Sequence, residues 1–302
     1  MRNRSTVLAH HSVAVFVVGL MLMPYQVKAE LAVDGLLPCD NAELTHAFTP
    51  SGPLRDERDF GDYVVRIYRE HMSSFEILHQ GIRVHSGEGF KFRIGSIYEE
   101  RKTNSLITMG ADITGDGIPN LVISEWTGGG HCCYFFHVFE LGEDFRHIQT
   151  IDAGHSDLAD FRDVNGDRAL EFPLFDWTFA YWRTSFAGSP APRVILKYNG
   201  EYFAPSADLM RQPGLTVEEL VETARSFKSS EEWASEPPPV ELWSTMLNLI
   251  YTGNMEQAWT LFDLTWPEGV DGKDQFREEF KLRLARSPYW DAVFAFNQKD
   301  SE

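Results

Sequence analysis

The sequence predicts an α+β protein with its two kinds of structure segregated along the chain: a mainly antiparallel β domain over residues 30–206, then an α-helical module over residues 207–302. Three observations predict this. Between about residues 60 and 205, apolar and polar residues alternate with the period of a strand that has one wet face. Beyond Phe203 the apolar spacing changes to three and four, the period of a helix facing a core. Ahead of both, residues 1–29 have the pattern of a leader that is removed from the mature chain.

The leader has a basic start at Arg2 and Arg4, an apolar run from Val13 to Met23, and Val27-Lys28-Ala29 before the expected cleavage point. The alternative is a retained anchor, but the run is shorter than the roughly 20 apolar residues a spanning helix needs. Cys39 lies too far beyond it, behind Pro38, to be the lipid-bearing residue of a lipoprotein. The expectation is export to the periplasm or the exterior, with no transmembrane segment in the mature chain. Cleavage removes Arg2, Arg4 and Lys28 and no acid, so the formal charge moves from −18 to −21. Such a surface repels nucleic acid and anionic membranes and favours cations.

In the β domain, Ile82 and Val84 alternate with Arg83 and His85, and Phe90, Phe92 and Ile94 with Lys91 and Arg93. Tyr134 to Leu141 and Val194 to Tyr198 are further strands, and Asn199-Gly200 is a two-residue hairpin signal. In the helical module, Thr216-Val-Glu-Glu219 is a capping box with Val217, Leu220, Val221 and Ala224 on one face behind it. After Pro237-Pro238-Pro239, three apolar stripes follow: Trp243, Met246, Leu247 and Ile250, closed by Gly253; Met255, Ala258, Trp259 and Phe262, closed by Pro267; and Phe276, Phe280 and Leu284, closed near Pro288. The hairpin from Tyr251 to Phe262 resembles one tetratricopeptide unit, though a generic helix hairpin is the simpler reading.

The mature chain has three cysteines, Cys39, Cys132 and Cys133, so an oxidising compartment implies one disulfide and one remaining thiol. The preferred pairing joins Cys39 to Cys132 or Cys133. A bridge between the two neighbours is the strained alternative.

An internal repeat stands at an offset of 51: Asp112-Ile-Thr-Gly-Asp-Gly-Ile-Pro-Asn-Leu-Val-Ile-Ser-Glu-Trp-Thr127 aligns with Asp163-Val-Asn-Gly-Asp-Arg-Ala-Leu-Glu-Phe-Pro-Leu-Phe-Asp-Trp-Thr178. The repeated units cover about residues 105–127 and 156–178. Their chemistry is that of a hard cation. Calcium takes six to eight oxygens, which a tight loop supplies from positions 1, 3, 5, 7 and 9. In the first loop these are Asp112, Thr114, Asp116, Ile118 (through its carbonyl) and Asn120; in the second, Asp163, Asn165, Asp167, Ala169 (carbonyl) and Glu171. Position 12 is Ile123 or Leu174 rather than the bidentate Glu of an EF-hand, and strand residues follow. The simpler alternative is a turn whose Asp and Asn side chains only bond backbone amides. By carboxylate count the second loop is expected to bind more strongly.

These residues resemble the FG-GAP, or integrin-α-like, repeat, also met in VCBS-type proteins. The resemblance covers about residues 105–180. It implies structural Ca²⁺ at the positions just named and a partial or small β-propeller, with a β-sandwich as the alternative. Arg168 departs from the family's glycine, which puts the turn of the second loop in question. The stretch Gly128-Gly-Gly-His-Cys-Cys133 also resembles a segment of exported bacterial proteins.

Two further constellations carry candidate chemistry. His131, Cys132 and Cys133, with His137 beyond, have ligand types suited to zinc or copper. Glu125 and Asp176 occupy equivalent repeat positions and are a carboxylate pair of the type that hydrolyses sugars, although a capping role for each acid is the simpler reading. No nucleophile elbow, phosphate loop or dinucleotide fingerprint is present. The reading is therefore a non-enzymatic binding or scaffolding protein with a protein or glycan partner. The alternatives are a hydrolase acting on a polymer such as a glycan, and a transition-metal or redox protein using His131, Cys132 and Cys133.

Overall fold

Eleven strands precede the helices along the chain in a computed structural model, which describes residues 48–96, 107–130, 132–157, 159–234 and 238–298. The leader and Cys39 lie outside the described residues. The first sheet is an antiparallel meander of β1 (Leu54–Phe60), β2 (Tyr63–Arg69), β3 (Ser73–His79) and β4 (Ile82–Gly89). The second repeats that layout with β5 (Lys91–Ile94), β6 (Asn120–Trp126), β7 (Tyr134–Leu141) and β8 (Phe145–Gly154). The third has three strands in the order β11 (Phe203–Pro205), β10 (Arg193–Tyr198), β9 (Phe172–Phe175). This bears out the antiparallel β domain and leaves both a partial propeller and a sandwich compatible with it.

Burial explains which residues form which strand. In β2, Tyr63, Val65 and Ile67 are buried on alternate positions, and they meet Phe75, Ile77, Phe92, Ile123 and Phe139 in one core between the first two sheets. The second sheet is covered on both faces. Leu121 and Ile123 of β6 belong to that first core, while Val122 belongs to a second core with Phe136, Val138, Phe172 and Val194. A strand with two dry faces loses its alternation and reads as a continuous apolar run. β1 is the opposite case: Leu-Arg-Asp-Glu-Arg-Asp-Phe is an exposed edge strand whose charges discourage edge-to-edge pairing. It precedes the alternation read from about residue 60, and its charged sequence carries no apolar period.

The helices are α1 (Ala207–Met210), α2 (Val217–Lys228), α3 (Val240–Tyr251), α4 (Met255–Thr265), α5 (Lys273–Leu284) and α6 (Trp290–Gln298). The Thr216–Glu219 capping box forms as expected, and Gly253 at φ 86° ends α3. The face of α2 is narrower than expected: Leu220 and Ala224 are buried, whereas Val217 and Val221 are exposed, because only the first row packs on α4. Asn199-Gly200 also differs from expectation. Tyr198 pairs with Phe203, so the connection has four residues, organised by the Asn199 side chain accepting from the amides of Glu201 and Tyr202, each at 3.0 Å.

The helical module is joined to the third sheet through the second core, in which Phe179 packs on Trp243 and Phe280. The described residues from 48 to 298 form one compact unit. Among the described residues no helix is long and apolar enough to cross a membrane.

Candidate functional site

Both acidic loops are tight turns that feed a strand, the first entering β6 and the second β9. They are built alike, atom for atom in most respects. In the first loop Asp112 accepts from the amides of Gly115 (2.7 Å) and Gly117 (2.9 Å); in the second Asp163 accepts from Gly166 (2.6 Å) and Arg168 (3.2 Å). Asp116 accepts from Ile118 at 2.9 Å, and Asp167 from Ala169 at 3.0 Å. At position 9 a side-chain oxygen reaches back to the second residue: Asn120 accepts from Ile113 (2.8 Å), Glu171 from Val164 (2.9 Å). The Asn120 amide donates to the Ala111 carbonyl and that of Glu171 to the Arg162 carbonyl, both at 2.9 Å.

Backbone sign explains the turn. Gly115 and Gly166 sit at φ 78° and 84°, and position 6 is left-handed in both loops, Gly117 at 85° and Arg168 at 77°. Arg168 therefore adopts the conformation its glycine counterpart has, at a steric cost of roughly 1–2 kcal/mol for a residue with a Cβ, and the turn keeps its geometry. The two loops also touch, since the Leu170 amide donates to the Ile113 carbonyl at 2.9 Å.

The loops differ in what faces them. Across the ladder from Asn120 stands Glu140 on β7, held by Arg146 at 2.5 Å, which also donates to the Tyr198 hydroxyl at 2.8 Å. The corresponding position opposite Glu171 on β10 is Lys197. Its ammonium lies 2.6 Å from Asp167 Oδ2 and 3.5 Å from Glu171 Oε1. Glu171 is fully buried, and its Oε1 has no hydrogen-bond donor, so this ion pair is what faces that oxygen. Lys197 and Glu140 are functional neighbours that sequence reading missed. Their signal was the register, which brings residues 20 and more positions away onto the ninth loop residue.

As donor sets, the loops present hard oxygens. The first offers the carboxylates of Asp112 and Asp116 and the Ile118 carbonyl, with the Asn120 oxygen and the Thr114 hydroxyl engaged inside the loop. The second offers Asp163, Asp167, the Ala169 carbonyl and Glu171, with Asn165 bonded to Asp167. Among the described residues no three His, Cys, Asp or Glu side chains are grouped so as to hold a metal ion. The hydrogen bonds match the amide-capping alternative, and Asp116 is an exposed residue.

Glu125 and Asp176 do not face each other. Glu125 lies beside Gly89 of β4, and its carboxylate is 3.3 Å from His137 Nε2. Asp176 is 3% exposed and satisfied by four donors: the Thr178 amide (2.8 Å) and hydroxyl (2.6 Å), Ser287 Oγ (2.5 Å) and the Tyr251 hydroxyl. It caps its own turn and ties it to α3, the bland role expected of it. The Trp-Thr ends of the repeat also diverge. Trp126 donates to the Gly129 carbonyl, Trp177 to Ser156 Oγ, both at 3.0 Å.

Cys132 and Cys133 stand at disulfide distance, with Cα atoms 3.1 Å apart. This is the alternative pairing; the preferred one with Cys39 falls outside the described residues, as does His131. No protein-family model, curated protein or solved structure matches this chain.

Proposed function

We propose that this chain is an exported calcium-binding β-repeat protein with a binding or scaffolding role, in which calcium is a structural staple of the acidic loops and the partner is a protein or a glycan. The observation that carries the reading is that the loops at an offset of 51 share one hydrogen-bond scheme while keeping acids at positions 1 and 5, Asp112 and Asp116 in one, Asp163 and Asp167 in the other. In the first loop, Asp112, Asp116 and the Ile118 carbonyl would hold the ion, with water completing the shell. The ion would screen two carboxylates that otherwise repel each other on a surface already strongly acidic. Export is supported by the leader, and mass spectrometry of the protein recovered from outside the cytoplasm should find a chain starting at Glu30.

The test is thermal melting with millimolar calcium and with chelator. Extracellular modules bind at roughly 10⁻⁴–10⁻³ M, and a tenfold excess over the dissociation constant adds about 1.4 kcal/mol. For a domain of this size that is a rise of roughly 3–5 °C, reversed by chelator and lost in Asp116→Ala. No shift at millimolar calcium would overturn the staple. Hydrolysis of a glycan or ester panel that disappeared in Glu125→Ala would replace the binding role by an enzymatic one.

A further inference from the structure

The two loops have opposite charges at the position facing their ninth residue. The first pairs a neutral Asn120 with Glu140 across the ladder. The second pairs an acidic Glu171 with Lys197, whose neighbour Leu196 is in register with Phe172, the residue after Glu171. The ammonium of Lys197 reaches two carboxylates of the loop, Asp167 Oδ2 at 2.6 Å and Glu171 Oε1 at 3.5 Å. Those two acids stand at positions 5 and 9, where a calcium ion would draw its oxygens, and the Glu171 oxygen is sealed from water. A divalent ion there would have to displace the ammonium or lie against it, like charge on like charge.

We infer that Lys197 is the built-in cation of the second loop and excludes calcium from it, so that the chain binds calcium at the first loop alone. This rests on the calcium reading above and reverses the order of strength expected from carboxylate count. The second loop carries the larger oxygen set, and it is already neutralised from within by a residue of the next strand. Removing the ammonium should leave Asp167 and Glu171 facing each other without a counter-charge. The loop should then weaken without calcium and become a calcium site with it.

The experiment compares the wild-type chain with Lys197→Met, which keeps the aliphatic stem, using calcium titration calorimetry and melting in chelator and in calcium. Lys197→Gln is the second variant should the first not fold, folding being judged by circular dichroism. The wild type should bind one calcium per chain, losing it in Asp116→Ala and keeping it in Asp167→Ala. Lys197→Met should bind two, should retain one when combined with Asp116→Ala, and should melt lower than wild type in chelator, with calcium restoring the loss. If the wild type binds two ions, one of them lost in Asp167→Ala, the exclusion is wrong while the calcium reading stands. The same holds if a folded Lys197→Met or Lys197→Gln gains no second ion although the wild type binds one. If neither the wild type nor a folded variant binds calcium, the calcium reading fails and this inference with it.

Discussion

The Asp176 carboxylate, surrounded by Thr178, Ser287 and Tyr251, is held by residues far from it in sequence; Tyr251 is 75 positions away. Burial, and then the charge of Asp176, push the Tyr251 phenol well above its ordinary value, so it stays a donor. Tyr251→Phe should therefore cost about 1–3 kcal/mol in urea denaturation, the usual penalty for leaving a buried acceptor short of a partner. Unchanged stability would show that the bond contributes nothing. His85 predicts a pH dependence. Its ring packs between Phe75 and Phe139 beside His147, and burial, followed by His147 and His137, lowers its pKa to about 4. Lowered below 6.5, it favours the neutral ring in the fold, so its stabilisation is complete above pH 6.5 and is lost as pH falls towards 4. A shift of that size corresponds to about 3 kcal/mol, or roughly 1–2 kcal/mol once screening of a partly exposed ring is allowed for. Asp160 acts in the opposite direction: burial raises it to about 6 from 3.8, so its contribution is lost as pH rises through that window. Comparing wild type with His85→Gln isolates the histidine, and equal acid sensitivity of the two would remove it as the cause. Neither environment was visible in the sequence, where His85 is simply the polar partner of Val84 in an alternating strand.

At the scale of elements, the loops were the most legible part of the chain, because the residue types that turn a backbone and the spacing that lets side chains reach amides are both local properties. The positive φ of Arg168 shows the limit of that legibility: an arginine does not announce a left-handed position, and only its alignment with Gly117 does. Arg168→Gly should stabilise the protein by about 1 kcal/mol, the strain of a Cβ at that φ less glycine's greater freedom in the unfolded chain. Thermal melting in chelator checks this without interference from calcium, and a loss of stability would mean that Arg168 makes a contact worth more than its strain. Helix α2 carries the same lesson. Its capping box is written in four consecutive residues, but which of its two apolar rows is buried depends on where α4 lies.

Across the whole molecule, the second sheet is the layer on which the rest is assembled, with one core on each face. The helical module contributes to the second core together with the third sheet, and Phe179 joins them by packing on Trp182, Trp243 and Phe280. Because that core is shared, the β and helical parts should unfold in one transition rather than in separate steps. Phe179→Ala should lower stability by about 3–5 kcal/mol and move both far-ultraviolet helix signal and tryptophan fluorescence together. Loss of the helix signal alone would separate the two parts.

Sequence alone determined the segregation of strands from helices, the helix stops, the capping box and the duplicated acidic loop, since each depends on residues within a few positions of one another. The tertiary structure alone decided that Asp176 is a buried tie rather than half of an acid pair, and that the neighbouring cysteines stand at disulfide distance from each other. It also decided that the loop with more carboxylates is the one already holding a cation. Charge counted along the chain made the second loop the stronger binder. Strand register placed Lys197 against it and Glu140 against the first, and electrostatic attraction depends on distance in space, which the order of residues does not contain.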